Sequence, residues 1–195
     1  MLTTFYILFA CDATENQSFL KFINEFSVGD IISFISMFLV VIGGCFGYHQ
    51  WRKSVKIKRA EYLNELTEKI RTDNDISKMI YILDYDLMWY DDTFHNSGEF
   101  ERQMDKTLSF FSYICYLYEN NLIEKREFNF FKYEINRILV NPSTIKYFYN
   151  LFHFSKTYRT PMTFKFLFKY GEKEKLYNEE FYNPDSEDYP HYLNF

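Results

Sequence analysis

The chain has 195 residues, a formal net charge of −5, 23 Phe and 18 Tyr, but only 6 Gly and 4 Pro. That acidity argues against direct nucleic-acid binding, which needs a basic face, and the shortage of turn residues argues against a β-rich fold. Cys11, Cys45 and Cys115 are scattered, with no C-x-x-C pair and no zinc set among them.

Residues 1–30 read as an external N-terminal segment. Residues 2–10 are a short apolar lead that touches the bilayer. Leu8-Phe9-Ala10-Cys11 has the outline of a lipoprotein cleavage box, but no Lys or Arg precedes it, so no cleaved signal is expected. Phe19, Phe22, Ile23 and Phe26 recur at helical spacing, as in a short helix lying in the outer membrane interface.

Residues 31–50, IISFISMFLVVIGGCFGYHQ, carry no formal charge. An α-helix needs about 20 mostly apolar residues to cross roughly 30 Å of hydrocarbon, so this run predicts a transmembrane helix. Trp51 sits where an interfacial indole anchors, and Arg52, Lys53, Lys56, Lys58 and Arg59 form a basic collar after it. The N-terminal flank holds Asp12, Glu15, Glu25 and Asp30 against Lys21. Positive residues stay inside, so the N-terminus is expected outside and the rest in the cytoplasm of a single-pass protein. The collar should attract anionic lipid at about 1 kcal/mol per basic residue.

Within this run Ser33, Ser36, Val40, Gly43 and Gly47 share a helical stripe, and Gly43-x-x-x-Gly47 matches a small-residue packing motif. Ser36, Gly43 and Gly47 are the expected contacts if spans self-associate; a plain anchor is the alternative.

Residues 51–174 read as a cytoplasmic helical domain. Val55, Arg59, Tyr62, Leu66 and Ile70 continue the span as an amphipathic helix, and Asn74-Asp75 breaks it and caps the next. Ile76, Met79, Ile80, Leu83 and Leu87 form a second stripe ending near Trp89, and Asp91 to Gly98 is a loop. From Ser97 and Glu99, the spacing of Phe100, Met104, Leu108, Phe111, Ile114, Cys115 and Tyr118 predicts a long helix stopped at Asn120-Asn121. Phe128, Phe131, Ile135, Ile138 and Leu139 predict another over 124–140, ended by Asn141-Pro142. Residues 143–154 form a further helix, broken before Pro161. Residues 162–170 form the last one, with Gly171 as its cap; the alternation Thr163-Phe164-Lys165-Phe166 also suits a short strand. Residues 175–195 are acidic and Tyr-rich, through Glu179, Glu180, Asp185, Glu187 and Asp188, and read as a flexible tail that either stays solvated, folds back on the collar, or offers Tyr182, Tyr189 and Tyr192 to a partner. The fold class expected is all-α: an N-terminal transmembrane helix followed by a cytoplasmic bundle of about five to six helices.

No phosphate-cradling glycine loop, G-x-S-x-G elbow or H-E-x-x-H pair occurs. Asp84, Asp86, Asp91, Asp92 and His95 are close enough in sequence to suggest a divalent-ion site and a metal-dependent hydrolase. However, Asp84 and Asp86 point apart on a helix, and Asp91 and Asp92 precede a turn. No enzyme, cofactor or metal is expected.

The layout resembles a group of uncharacterised bacterial single-pass membrane proteins with a helical cytoplasmic domain. The carrying residues are Trp51-Arg52, Arg59-Ala60-Glu61-Tyr62-Leu63, the run from Leu108 to Tyr118, Asn121-Leu122-Ile123-Glu124 and Asn141-Pro142, across residues 35–155. Some proteins of this build are similar to membrane effectors of retron and abortive-infection phage-defence systems. The resemblance implies an inner-membrane antiviral effector, with the lipid bilayer, a second copy and a cytoplasmic protein as partners; it supplies no catalytic residues. A non-toxic tethered adaptor is the other expectation.

Overall fold

A computed structural model describes residues 27–85, 88–96, 98–191 and 193. The expected interfacial helix around Phe19–Phe26, together with Cys11, Asp86, Leu87, Ser97 and Tyr192, falls outside them. The described residues are all-helical, with α1 at Val28–Thr72, α2 at Asn74–Tyr85, α3 at Glu99–Glu119, α4 at Lys125–Val140, α5 at Pro142–Tyr158 and α6 at Lys165–Lys173. Short 3₁₀ turns lie at Phe94–Asn96 and Glu179–Tyr182. The chain divides into two compact units between Glu61 and Tyr62.

The first unit contains the N-terminal part of α1, whose residues 28–58 are exposed without exception. Ser27 starts this helix: its N–H donates to Asp30 Oδ2 at 3.0 Å while its Oγ accepts from Asp30 N–H at 3.3 Å. An acid in the first turn also suits the positive end of the helix dipole.

In the second unit α3 is the central helix, packed against α2, α4 and α6, while α4 also packs on α2 and α5. Met104, Leu108, Phe111 and Ile114 are wholly buried along it, and so is Thr107, whose hydroxyl is satisfied by the Gln103 carbonyl at 2.9 Å. Leu66 at the end of α1 is buried against the same core, with Tyr62, Leu63 and Ile70 beside it.

Several helix ends have a local cause. Asp73 Oδ1, one residue ahead of the expected cap, accepts from the N–H groups of Asp75 and Ile76 at 3.1 and 3.3 Å and starts α2. At the end of α3, Asn121 turns left-handed (φ 56°), the Leu122 N–H reaches the Leu117 carbonyl at 2.8 Å, and the Asn121 N–H reaches that of Tyr118 at 3.1 Å. This paired closure satisfies carbonyls that the helix leaves open. A capping box of Glu124 and Glu127 opens α4.

Two sequence expectations fail at the C-terminal end. Gly171 lies inside α6 rather than capping it; Lys175 (φ 57°) makes the turn, and the Leu176 N–H closes onto the Gly171 carbonyl at 3.1 Å. The glycine is needed for space: a Cβ there would lie 2.5 Å from the Tyr177 hydroxyl. Nor are residues 175–191 a free tail. Phe181 is fully buried, stacked on Tyr177 (4.4 Å between centroids) and Phe168 (5.8 Å). The Tyr149 hydroxyl donates to the carbonyls of Asn183 and Pro184, both at 3.0 Å, and its ring stacks on Tyr189 at 4.5 Å. Aromatic burial here outweighs the polar composition that suggested disorder.

Residues 163–164 form a turn, and α6 starts at Lys165, so the strand alternative is not realised. Phe164 takes a left-handed conformation (φ 53°) at the cap of α6. That backbone costs a non-glycine residue about 1–2 kcal/mol. It is held by a ring buried near Tyr147 and Phe148, 6.2 and 6.3 Å between centroids.

Candidate functional site

Residues 31–50 lie wholly within α1, and the apolar window of that helix is long enough to cross a membrane with none of it buried. The core helix of a water-soluble domain would hide such a surface; here Phe38, Leu39 and Val40 are all more than 60% exposed. The helical spacing places Ser36, Val40, Gly43 and Gly47 on one stripe. Among the described residues a Cβ built at Gly43 or Gly47 meets nothing within 4 Å, so neither glycine is required by packing among them.

The collar residues Arg52, Lys53, Lys56, Lys58 and Arg59 all stand on the same helix. Arg52, Lys56 and Arg59 follow the three-four spacing of one face, Lys53 flanks it, and Lys58 points elsewhere. The Arg52 guanidinium lies 5.8 Å over the Tyr48 ring, and Tyr48 and Trp51 are 6.0 Å apart. The apolar stretch therefore ends in a cluster of amphipathic rings and cations, groups suited to a water–lipid boundary.

Among the described residues, which exclude Asp86, the carboxylate cluster read from sequence is not assembled. Asp84 forms an ion pair with Arg137 on α4. Asp91 Oδ1 accepts from the Thr93 N–H at 2.9 Å and the Thr93 hydroxyl at 2.7 Å, bonds that hold its carboxyl below the ordinary value. His95 Nδ1 lies 2.8 Å from Glu101 Oε1, and its Nε2 lies 3.4 Å from the Tyr90 hydroxyl. Asp84, Asp91 and His95 each have a structural job of their own. Among the described residues no three His, Cys, Asp or Glu are grouped to hold a metal ion.

The sequence reading missed the polar groups that organise the second unit. Asn141 is buried, and its side chain ties three segments together. Its Oδ1 accepts from Trp89 Nε1 at 3.1 Å and from the N–H groups of Ser143 and Thr144 at 2.9 and 3.1 Å, while its Nδ2 donates to the Leu83 carbonyl at 3.0 Å. One side chain thus caps α5, closes α2 and fixes the intervening loop. Asn-Pro-Ser signals such a cap, but the tie to Trp89 lies 52 positions away. Nearby, Asn150 donates to the Tyr90 hydroxyl at 2.9 Å and Tyr147 to Asp105 at 2.9 Å. Burial pushes the Asp105 carboxyl above its usual range, and pushes the Tyr90 hydroxyl up to about 12. These groups are inward-facing and paired, as expected of a specified core.

Compared with known proteins, the chain matches no family model, no curated protein and no solved structure.

Proposed function

We propose that α1 spans the bacterial inner membrane with its N-terminus outside and holds a non-enzymatic helical module at the cytoplasmic face. In this reading the protein is a membrane effector. The module engages a cytoplasmic protein, and activation lets spans associate through Ser36, Gly43 and Gly47 and disturb the bilayer. An antiviral, abortive-infection role follows from the resemblance to defence effectors. The observation that supports it is the unburied apolar stretch of α1 ending in Tyr48, Trp51 and the basic collar. Such a surface is unfavourable in water by about 25 cal/mol per Å² and needs lipid around it.

Inducible expression in bacteria tests this. The wild-type chain should slow growth and admit a membrane-impermeant dye, while Gly43→Ile/Gly47→Ile should insert normally and exclude it. Because neither glycine is packed against another of the described residues, loss of dye entry would report on helix association. Equal dye exclusion by both proteins removes membrane disruption from the reading.

A tethered adaptor without toxicity is the second reading, favoured by exposed aromatics on the module. Tyr81 and Tyr85 lie 4.5 Å apart on α2, Phe130 and Tyr133 are exposed on α4, and Arg137 lies 5.0 Å over the Tyr133 ring. Tyr and Arg dominate binding hot spots. Stable co-purification of a partner with no growth defect would select this reading.

A further inference from the structure

The chain is acidic overall, yet one groove of the helical module is cationic. It lies between the C-terminal half of α5 and α6, has a volume of about 470 Å³, and is floored by Phe152, Phe168 and Met162. The two phenylalanine rings stack with centroids 5.5 Å apart. Lys156, Lys165 and Lys169 stand around this floor, and the Lys156 ammonium lies 5.3 Å over the Phe152 ring. Lys169 is occupied by Glu119. Glu172, the one carboxylate in the lining, accepts from the Tyr182 hydroxyl at 3.3 Å. Lys156 and Lys165 have no ion-pair partner among the described residues.

The cation–π contact with Phe152 accounts for the place of Lys156, but among the described residues neither ammonium meets a carboxylate that would balance its charge. They do suit a ligand with an anionic head and an apolar body. Lysine ammonium groups act as point charges for phosphate oxygens, and an aromatic floor accepts a flat or hydrocarbon body. The volume lies in the ordinary range for small-molecule sites, about 300–1,000 Å³.

We propose that this groove binds a phosphate monoester carried on an apolar or flat body. Lys156 and Lys165 hold the phosphate, and the Phe152–Phe168–Met162 floor takes the body. The same chemistry occurs in a soluble nucleoside monophosphate and in a phosphatidate headgroup with the start of its chains. The site belongs to the helical module alone and stands whether or not α1 disturbs a membrane.

The test titrates the full chain in neutral detergent with three probes: fluorescent methylanthraniloyl-AMP, dihexanoyl phosphatidate and inorganic phosphate. One of the first two should bind with a Kd below about 100 μM, and inorganic phosphate, lacking a body, about tenfold or more weaker. Lys156→Gln/Lys165→Gln should weaken that binding at least about tenfold, while Lys156→Arg/Lys165→Arg keeps the charge and should stay within about threefold. Lys125→Gln/Lys132→Gln removes equal charge elsewhere on the module and should change nothing. The tighter of the two organic probes identifies the source. The proposal is overturned if neither binds by about 1 mM, if the Gln variant at the groove binds like wild type, if the distant Gln variant loses as much, or if bare phosphate binds as well as the others.

Discussion

Residues 28–58 of α1 expose all their apolar side chains, whereas the helices from Tyr62 onward bury Met79, Phe111, Ile135, Phe148 and Phe181 to the last few per cent. Both regions are apolar, but the patterns differ. Residues 31–50 are hydrophobic all round, with no polar face to give water. The module's helices interleave apolar stripes with Lys, Arg, Asp and Glu, so each has one face for a core and one for solvent. A helix of the first kind takes its favourable environment from outside the chain; helices of the second kind make their own. The two regions should therefore fail separately.

The largest expected effect is in the module core. Phe148 is wholly buried with its ring 6.3 Å from Phe164 and 6.2 Å from Phe168, so Phe148→Ala should cost about 3–5 kcal/mol. Denaturant unfolding of the detergent-solubilised chain measures it. Carbonate-resistant membrane association should stay as in wild type. If the same change released the chain from membranes, the separation of the two regions would be wrong.

The converse is Val40→Arg, which puts a charge near the middle of residues 31–50 at about 2.5–3.5 kcal/mol of insertion free energy. The fraction recovered in carbonate-washed membranes should fall, while the module's denaturant midpoint stays unchanged. Undiminished membrane recovery would mean that α1 is not held by hydrocarbon.

This contrast also explains which features could be read from sequence. A charge-free run followed by a basic collar is a local signal, and so are the stripes of α3 and α4, whose helix boundaries fall within a residue or two of those expected. The course of residues 175–191 is different. Tyr177, Phe181 and Tyr189 make no helical stripe, and what orders them is a ring stack with Phe168 and Tyr149, which only the folded chain brings near. Gly171 looked like a stop signal because glycine usually ends helices, but here it makes room for Tyr177. Asp84, Asp91 and His95 are neighbours in sequence, yet Asp84 is drawn to α4 and His95 to α3. Closeness along a chain does not specify where side chains point once a helix ends and a turn begins.

A third effect sharpens the module side of the comparison at a polar rather than an apolar site. Asn141→Ala removes the cap of α5 and strands the Trp89 indole N–H and the Leu83 carbonyl. A lost cap costs about 0.5–2 kcal/mol and each stranded buried group about 1–3, so a total near 3 kcal/mol or slightly less is expected after relaxation. The diagnostic readout is Trp89 fluorescence, measured in a Trp51→Phe background: the emission should shift to the red below the unfolding transition as the loop loosens. An unchanged spectrum would show that the indole is held by its aromatic neighbours and not by Asn141.

The smallest effect is electrostatic and separates two kinds of carboxyl within the module. Lys106 Nζ lies 2.9 Å from Asp73 Oδ1 and 2.8 Å from Asp75 Oδ2. These hydrogen bonds, the largest cause, hold both carboxyls below the ordinary value of 3.8 and raise the ammonium above 10.5. A depressed carboxyl stabilises the fold above pH 3.8, and that contribution is lost as pH falls through its lower folded-state value. The raised Lys106 contributes below pH 10.5 and loses that as pH rises through its own folded-state value. Asp105 runs the other way. Burial lifts its pKa more than the Tyr147 hydrogen bond lowers it, so the folded state takes up its proton first and acidification favours folding at this site. Lys106→Met should therefore flatten the acid limb of a Tm-against-pH curve, and Asp105→Asn should steepen it. Because the Lys106 contribution is an ion pair at a partly exposed side chain, about 1 M salt should shrink the first difference, while the shift of the half-buried Asp105, which comes from desolvation, should respond less. Parallel acid limbs for wild type and both variants would mean that neither group titrates differently in the folded chain.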